Sequence, residues 1–225
     1  MPRTPLKTVS VIGAVVEALS QSILSNEYTP GERISESSLA ARFQVPRPTV
    51  RSALTLLQEQ GLLRREPNRS VYVPRLGRED IEDIFAMRLL IEAEAVRRLA
   101  AGPGVPQDAT RAIRILEGLQ YSNDWSLFVE YDFALHRALV EGASSERLGR
   151  LYRSISAETR LALSQLRPYY ADPTGLAAEH AQILDAIAEG DEAGAVAAVS
   201  EHIRETEQIL LQMLERDEER SAPVA

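Results

Sequence analysis

The chain has 225 residues, of which 44% are hydrophobic, and a net charge of −8. This length and apolar content can bury a core in each of one or two domains, which excludes a largely disordered protein. The absence of cysteine excludes disulfides and thiolate metal ligands. No apolar stretch approaches the roughly 20 residues of a transmembrane helix, and the N-terminus lacks the apolar core of a signal peptide. We therefore expect a cytoplasmic protein with no membrane partner.

Charge is unevenly distributed along the chain. Residues 1–76 carry ten basic and six acidic side chains, a net +4, whereas the remainder carries −12. The acidic total argues against a nucleic-acid partner, but phosphate contacts require cations on one surface only. The uneven distribution indicates two modules, of which the N-terminal one is suited to nucleic acid.

The N-terminal module has the order of elements of a winged helix-turn-helix. Apolar residues at helical spacing predict a helix over 9–26, and the Tyr-Thr-Pro-Gly run at 28–31 ends it. A short helix with a serine cap follows over 35–43, and a longer helix runs over 46–60. Two β-prone runs lie within 62–73, separated by a Pro-Asn-Arg-Ser turn. They predict a β-hairpin wing.

Residues 74–77 mark a domain boundary, because β-strand patterns are absent beyond them. Helical periodicity with glycine and proline breaks predicts six helices, over 78–101, 106–120, 124–142, 145–167, 174–189 and 191–216. The expected fold is mainly α. A winged helix-turn-helix with a small β-hairpin wing spans 1–76, and an all-α six-helix bundle spans 77–220.

The second helix of the turn motif should enter the major groove of DNA. Its leading residues Arg47, Thr49 and Arg51 can reach base edges and phosphates. Arg47 is the best candidate for reading a base, because a guanidinium donates two parallel hydrogen bonds to guanine. Arg69 at the wing tip can reach the minor groove, and Arg42 can contact the DNA backbone. A single arginine is more often part of a surface ion pair, but arginines at both places favour DNA binding.

The three histidines of the chain lie in the acidic half, together with a well-placed aspartate. Asp132 and His136 are one helical turn apart, on one face of a helix. His180 lies ten residues before Gly190 and His202 twelve after it, so an antiparallel hairpin brings the two imidazoles to nearly the same height. Each histidine alone is more often structural, but the set predicts a site for a divalent ion such as zinc, nickel, cobalt or manganese.

Arg88 is a candidate for binding an anion. It belongs to an otherwise apolar stripe of the helix over 78–101, which points its side chain inward. Two interpretations remain open. Arg88 forms a buried ion pair with Glu92, one turn on, or its guanidinium holds the carboxylate of a ligand.

Two N-terminal stretches carry a family resemblance. Residues 30–40 read Pro-Gly-Glu-Arg-Ile-Ser-Glu followed by Leu-Ala, and residues 45–63 read Val-Pro-Arg-Pro-Thr-Val-Arg-Ser-Ala-Leu followed by Glu-Gln-Gly-Leu-Leu. They resemble the GntR family of bacterial transcription regulators. The acidic half is similar to its FCD ligand-binding domain through Arg88 to Glu92, the Asp-x-x-x-His of 132–136, Glu-His at 179–180 and His-Ile at 202–203. Six C-terminal helices resemble the VanR subgroup rather than the seven-helix FadR subgroup.

The resemblance implies a homodimer that binds a palindromic operator, with a helical pocket in which a divalent metal helps to coordinate a small carboxylate effector. It implies a transcription regulator, expected to be a repressor, rather than an enzyme. The chain departs from the family pattern over 46–50, which read Pro-Arg-Pro-Thr-Val in place of Ser-Arg-Thr-Pro-Val, and at Ser70, which replaces a wing glycine. It also has Ser37 where some members place a DNA-contacting arginine. The residues that match the family's metal ligands and recognition-helix contacts are Asp132, His136, His180 and His202, and Arg47, Thr49 and Arg51.

Two other functions remain open from the residues themselves. Histidine and carboxylate ligands with an open coordination position also describe metal-dependent enzymes, although the sequence has no nucleophile motif and no clear general base beside the site. Alternatively, the metal itself is the signal, and operator affinity then follows the metal concentration without an organic ligand.

Overall fold

The computed structural model describes residues 10–66, 71–119, 125–164 and 173–221. These residues form nine α-helices and three short β-strands. The chain divides into two compact units, Met1–Arg75 and Leu76–Ala225. Across the described ranges, no helix combines the length and the apolar character needed to cross a membrane.

The first unit is a winged helix-turn-helix, as predicted. Its helices α1 and α2 both pack against α3, and the wing hairpin of β2 and β3 is present. A third strand, β1, pairs with β3 and gives the antiparallel order β1-β3-β2. The elements are α1 (Val11–Leu24), β1 (Arg33–Ile34), α2 (Glu36–Phe43), α3 (Arg47–Glu59), β2 (Arg64–Arg65) and β3 (Val71–Tyr72).

The turn between α2 and α3 is set by local backbone chemistry. Ser35 caps α2, because its Oγ accepts a hydrogen bond from the backbone N–H of Ser38 at 3.3 Å. Gln44 then adopts a left-handed conformation with φ 53° and ends the helix. Pro48 lies in the first turn of α3, where the missing N–H costs no hydrogen bond. The first residues of α3, Arg47 and Pro48, are exposed, while the apolar face of the helix is buried against α1 and α2.

The second unit consists of six helices in its described residues, as the periodicity predicted. The first of them, α4, packs against α6, α7, α8 and α9. The last helix extends beyond its predicted end near residue 216, so the charged sequence there continues the helix instead of forming a tail. The helices are α4 (Arg78–Ala101), α5 (Gln107–Leu119), α6 (Trp125–Gly142), α7 (Glu146–Ser164), α8 (Pro173–Glu189) and α9 (Glu192–Ser221).

A tight turn joins α8 to α9 and fixes the register of the two helices. Gly190 has φ 74°, a conformation that favours glycine. Asp191 caps α9, because its Oδ1 accepts a hydrogen bond from the backbone N–H of Gly194 at 2.9 Å. The two helices then pack along each other, which forms the antiparallel hairpin expected from the sequence.

Candidate metal centre

Four side chains from three helices converge in the interior of the second unit. Asp132 and His136 lie on α6, His180 on α8 and His202 on α9. All four are buried, and one potential ligand atom from each lies within 4.8 Å of the others. We call these four residues the metal centre. The structure thus brings together all the residues that the sequence singled out as metal ligands.

The convergent atoms of the metal centre are three imidazole Nε2 atoms and one carboxylate oxygen. His136 Nε2 lies 3.2 Å from Nε2 of His180 and 3.2 Å from Nε2 of His202. Asp132 Oδ1 lies 3.1 Å from His180 Nε2 and 3.9 Å from His136 Nε2. In a tetrahedral zinc site with bonds of about 2.0–2.1 Å, two ligand nitrogens lie about 3.3 Å apart. The spacing of the imidazoles therefore fits a single ion.

The opposite nitrogen of each imidazole is held by a hydrogen-bond acceptor. His136 Nδ1 lies 2.5 Å from Glu92 Oε2, and His202 Nδ1 lies 2.8 Å from Glu179 Oε2. His180 Nδ1 lies 2.6 Å from the backbone oxygen of Leu176. Since a carbonyl or carboxylate oxygen accepts, each Nδ1 carries the proton and each Nε2 lone pair points to the centre.

This tautomer makes the metal centre a cation site. Three nitrogen lone pairs and a carboxylate face one another at distances at which they would repel without a positive charge between them. The donor set lacks sulfur and combines imidazole with one carboxylate, which suits a borderline divalent ion such as zinc, nickel or cobalt, and also manganese. The residues present therefore fit the predicted ion.

The pKa values of the buried groups favour the same state. Burial raises the pKa of Glu92, but the charge of Arg88 and the hydrogen bonds from His136 and Arg88 outweigh it and lower the pKa to about 2. For Asp132, burial is likewise outweighed, mainly by the hydrogen bond with His180, and the pKa falls below its usual range. Burial and the two neighbouring imidazoles hold the pKa of His202 well below its ordinary value. Charged carboxylates and a neutral imidazole are the forms that bind metal.

Glu92 connects Arg88 to the metal centre. Arg88 Nε donates to Glu92 Oε1 at 2.9 Å, and both side chains are almost fully buried. The ion pair considered from the sequence is therefore present, and the same carboxylate orients His136 through its second oxygen. Glu92 engages Arg88 through Nε, so this ion pair does not use the two terminal nitrogens of the guanidinium.

Sequence reasoning did not assign the residues that orient the imidazoles. From the sequence, Glu92 is considered only as a partner of Arg88. Its position one turn from Arg88, on the inward face of the same helix, could have indicated a contact with a ligand histidine. Glu179 precedes His180 in sequence but pairs with His202, 23 residues away. That contact depends on the packing of α8 against α9. The sequence gives no indication of the contact with Leu176, because every residue has a backbone carbonyl that can accept a hydrogen bond.

The candidate DNA-contact residues lie in the first unit. Arg47 and Arg51 are exposed at the start of α3, and Thr49 is half-buried between them. Arg51 forms an ion pair with Glu36 of α2, through Nε at 3.3 Å and Nη2 at 3.0 Å. Arg47, Thr49 and Arg51 together are called the reading face below.

Two further arginines were predicted to contact DNA. Arg42 is part of an intramolecular cluster, in which Nη1 lies 2.6 Å from Glu27 Oε1 and 3.2 Å from the Tyr28 hydroxyl. Its side chain is still 41% exposed. Arg69, the residue predicted at the wing tip, lies outside the described residues.

Comparison with known proteins gives two domain matches. Residues 12–73 match the gntR family of bacterial regulatory proteins, and residues 83–205 match the FCD domain. The HTH-type transcriptional regulator LutR of Bacillus subtilis (strain 168) is 28% identical over 210 residues, which cover 84% of this chain and 95% of LutR.

Solved structures share the fold. A transcriptional regulator GntR from Rhodococcus sp. RHA1 superposes with a TM-score of 0.79 at 26% identity, covering 90% of this chain and 98% of that one. McbR/YncC of E. coli superposes with a TM-score of 0.78 at 21% identity, covering 92% and 99%.

These relatives are transcriptional regulators, so the metal-dependent enzyme considered from the sequence is set aside. The N-terminal match coincides with the winged helix-turn-helix, and the FCD match contains the metal centre. The chain belongs to the GntR family of bacterial regulatory proteins, as a DNA-binding transcription regulator with a C-terminal FCD domain.

Proposed function

We propose that this protein is a homodimeric repressor whose affinity for a palindromic operator changes when a small carboxylate effector binds at a divalent metal in the second unit. The observation that carries the proposal is the metal centre, with three Nε2 lone pairs and one carboxylate directed at one point. The six described helices of the second unit support the VanR-like subgroup within the FCD-type regulators.

Asp132, His136, His180 and His202 would hold the ion, which is zinc, nickel, cobalt or manganese. An ion with four protein ligands can accept a further oxygen ligand by expanding its coordination, and it then acts as an electrostatic anchor for a carboxylate. Arg88 supports this role, because its guanidinium is buried beside the centre and Glu92 occupies only Nε. A carboxylate could therefore be held by the ion and by the terminal N–H groups of Arg88.

The reading face supplies the DNA contacts in this proposal. Arg47 would read a base edge in the major groove, and Thr49 and Arg51 would contact bases or phosphates. Arg42 would contact the DNA backbone, and Arg69 the minor groove or its phosphates. A dimer presents two reading faces, which is why the expected operator is palindromic.

Exposed apolar side chains on α4 and α7 support a dimer. Leu90 and Met87 on α4 are 68% and 39% exposed, and Leu151 on α7 is 48% exposed. The two helices pack against each other. A second copy of the chain would remove these side chains from water. Effector binding between the helices would then change the spacing of the two reading faces, and only one spacing fits half-sites on one face of DNA.

The test combines metal analysis with DNA binding. The full-length protein is purified without chelators, its metal content is measured, and an operator is selected from a random duplex pool. We expect about one divalent ion per chain, a dimer in sedimentation analysis, and operator affinity that changes in the presence of an organic acid. His180→Ala should lose the ion and the response, whereas Gln182→Ala, an exposed change on the same helix, should retain both.

Two results would replace this proposal. If operator affinity follows zinc concentration without any organic acid, the protein is a metal sensor. If neither zinc nor an acid changes operator affinity or dimer geometry, the histidines are structural.

A further inference from the structure

A groove in the first unit combines two arginines with an apolar floor. It has a volume of about 350 Å³ and lies where the small sheet meets the start of α2. Ile34 and Val71, which pair across β1 and β3 and are each 3% exposed, form its floor. Neither arginine is among the DNA contacts predicted from the sequence. The residues that line the groove are Arg33, Ile34, Ser35, Glu36, Arg65 and Val71.

Arg65 connects the groove to the helix that carries the reading face. It is exposed on the edge strand β2, and its Nε donates to Oε1 of Gln58 on α3 at 3.2 Å. The amide of Gln58 is itself oriented, because its Nε2 donates to the backbone oxygen of Leu54 at 3.0 Å. The contact with Gln58 does not use the two terminal nitrogens of Arg65. Helix α3 therefore holds Arg65 in place through its Nε.

Glu36 is a second connection between the groove and the reading face. Among the described residues that line the groove, it is the one with a carboxylate. Arg51 of the reading face binds both oxygens of this carboxylate, at 3.3 Å and 3.0 Å, and so compensates its charge. Arg33, which is exposed on β1, and Arg65 then give the groove a positive charge that is complementary to an anion.

The backbone of DNA has the chemistry that fits this groove. Its phosphates are neutralised by arginine side chains, and contacts to phosphate and sugar fix the position of a protein on the duplex. A deoxyribose ring also offers carbon atoms to the apolar floor. The continuity of the groove with α3 places it beside the surface that would meet DNA.

We propose that the groove binds the sugar-phosphate backbone of the DNA strand that borders the major groove, with Arg33 and Arg65 as its phosphate contacts. Gln58 positions Arg65 for this contact. The inference rests on the proposed function, in which α3 enters the major groove. We call Arg33 and Arg65 the groove arginines.

The test uses the salt dependence of DNA binding, because each phosphate contact adds about 0.9 to the slope of log K against log salt concentration. The full-length protein is titrated by fluorescence anisotropy with the duplex selected from the random pool and with a scrambled duplex. Arg65→Met should lower the magnitude of the slope by about 0.9 and weaken binding of both duplexes about five- to tenfold at about 100 mM salt. The double variant Arg33→Met/Arg65→Met should lower it by about 1.8.

Arg111→Met is the matched control, because it removes the same charge from an exposed arginine on α5 of the second unit. Its slope should equal that of the wild type. Helical circular dichroism and thermal unfolding report whether each variant is intact.

The role of Gln58 is tested in two backgrounds. Gln58→Met keeps the length of the side chain without the acceptor, and it should weaken DNA binding about two- to threefold in the wild type. In the Arg65→Met background it should have no effect, because the two residues act through one contact. An equal loss in both backgrounds would show that Gln58 does not act through Arg65.

The outcomes separate the groove from the reading face. Arg47→Met, measured in parallel, should reduce the preference for the selected duplex, whereas Arg65→Met should leave that preference unchanged. If the slopes of the groove-arginine variants fall no further than that of Arg111→Met, the groove does not bind DNA, while a lost preference in Arg47→Met still supports the reading face. If Arg47→Met keeps the preference and Arg65→Met lowers the slope, the reading face is wrong and the groove stands.

Discussion

At the scale of single residues, the carboxylate of Glu92 determines the charge balance around the metal centre. One oxygen accepts from Arg88 Nε at 2.9 Å and the other lies 2.5 Å from His136 Nδ1. A partner that fixes the orientation and basicity of a ligand histidine contributes to metal affinity although it does not touch the ion. Glu92 also neutralises a guanidinium that is 1% exposed.

Glu92→Gln should weaken zinc binding by about 10- to 100-fold, because the amide leaves His136 less basic. It should also lower the free energy of unfolding of the metal-free protein by about 3–5 kcal/mol, because Arg88 is left buried without a counter-charge. Zinc affinity is measured by competition with a chromogenic chelator, and stability by chemical denaturation.

Glu94→Gln is the control for this prediction. Glu94 lies on the same helix and pairs with Arg97 and Arg98 near the surface. The zinc affinity of the Glu94→Gln variant should therefore equal that of the wild type. Equal zinc affinity in Glu92→Gln and Glu94→Gln would contradict a role for Glu92 in orienting His136.

Acid should destabilise the metal-free protein through the buried imidazole of His202. The pKa of His202 in the folded state lies well below 6.5, because of burial and the adjacent His180 and His136. Below that pH the unfolded chain binds a proton that folded His202 does not. The free energy of unfolding therefore has its full value above the pKa of His202 in the unfolded chain. Below that pKa it decreases as the pH falls, by about 1.4 kcal/mol per pH unit for this histidine.

The measurement is chemical denaturation in the presence of a chelator at several values between about pH 7 and pH 5. His202→Gln should flatten the slope by the contribution of one histidine. An identical slope in the variant and the wild type would show that His202 titrates normally in the folded state.

At the scale of secondary-structure elements, an ion pair connects the two helices of the turn motif. Arg51 on α3 binds both oxygens of Glu36 in the first turn of α2. If Arg51 contacts DNA as proposed, this carboxylate would compete with the phosphates for it, and its negative charge would lie beside the reading face. We therefore expect Glu36 to limit the affinity of the protein for DNA.

Glu36→Gln should raise the affinity for duplex DNA by about two- to fivefold at low salt, with less effect at high salt. Fluorescence anisotropy with a labelled duplex measures both conditions. Glu59→Gln removes the same charge at the far end of α3 and should have a smaller effect. If both variants gain affinity equally, the change reflects net charge rather than release of Arg51.

Much of the fold and the metal centre could be predicted at this scale, because helical periodicity and hairpin register are local properties. The strand β1 was missed because two residues, Arg33 and Ile34, show no alternation and pair with β3, far along the chain.

At the scale of the whole molecule, the chain divides into two compact units, and each contains buried apolar side chains. The metal centre lies entirely within the second unit, as does Trp125, the one tryptophan of the chain. A ligand stabilises the folded state to which it binds, by about 4 kcal/mol at a thousand times its dissociation constant. Metal should therefore stabilise the second unit more than the first.

Saturating zinc should raise the temperature of the unfolding transition reported by tryptophan fluorescence. A second transition, seen by calorimetry and assigned to the first unit, should shift much less. Removal of the metal with a chelator should reverse the change. An equal shift of all transitions would show that the chain unfolds as a single cooperative unit.

The hairpin of α8 and α9 has an evolutionary consequence. One residue inserted in an α-helix turns everything beyond it by about 100° and moves it by about 1.5 Å. An insertion or deletion between His180 and Gly190, or between Gly190 and His202, would swing one imidazole away from the other. Descendants of this chain can change the length of the connection between α4 and α5, but these two segments must keep their lengths wherever the metal centre is retained. Segment length is thus a marker of the centre that is independent of residue identity.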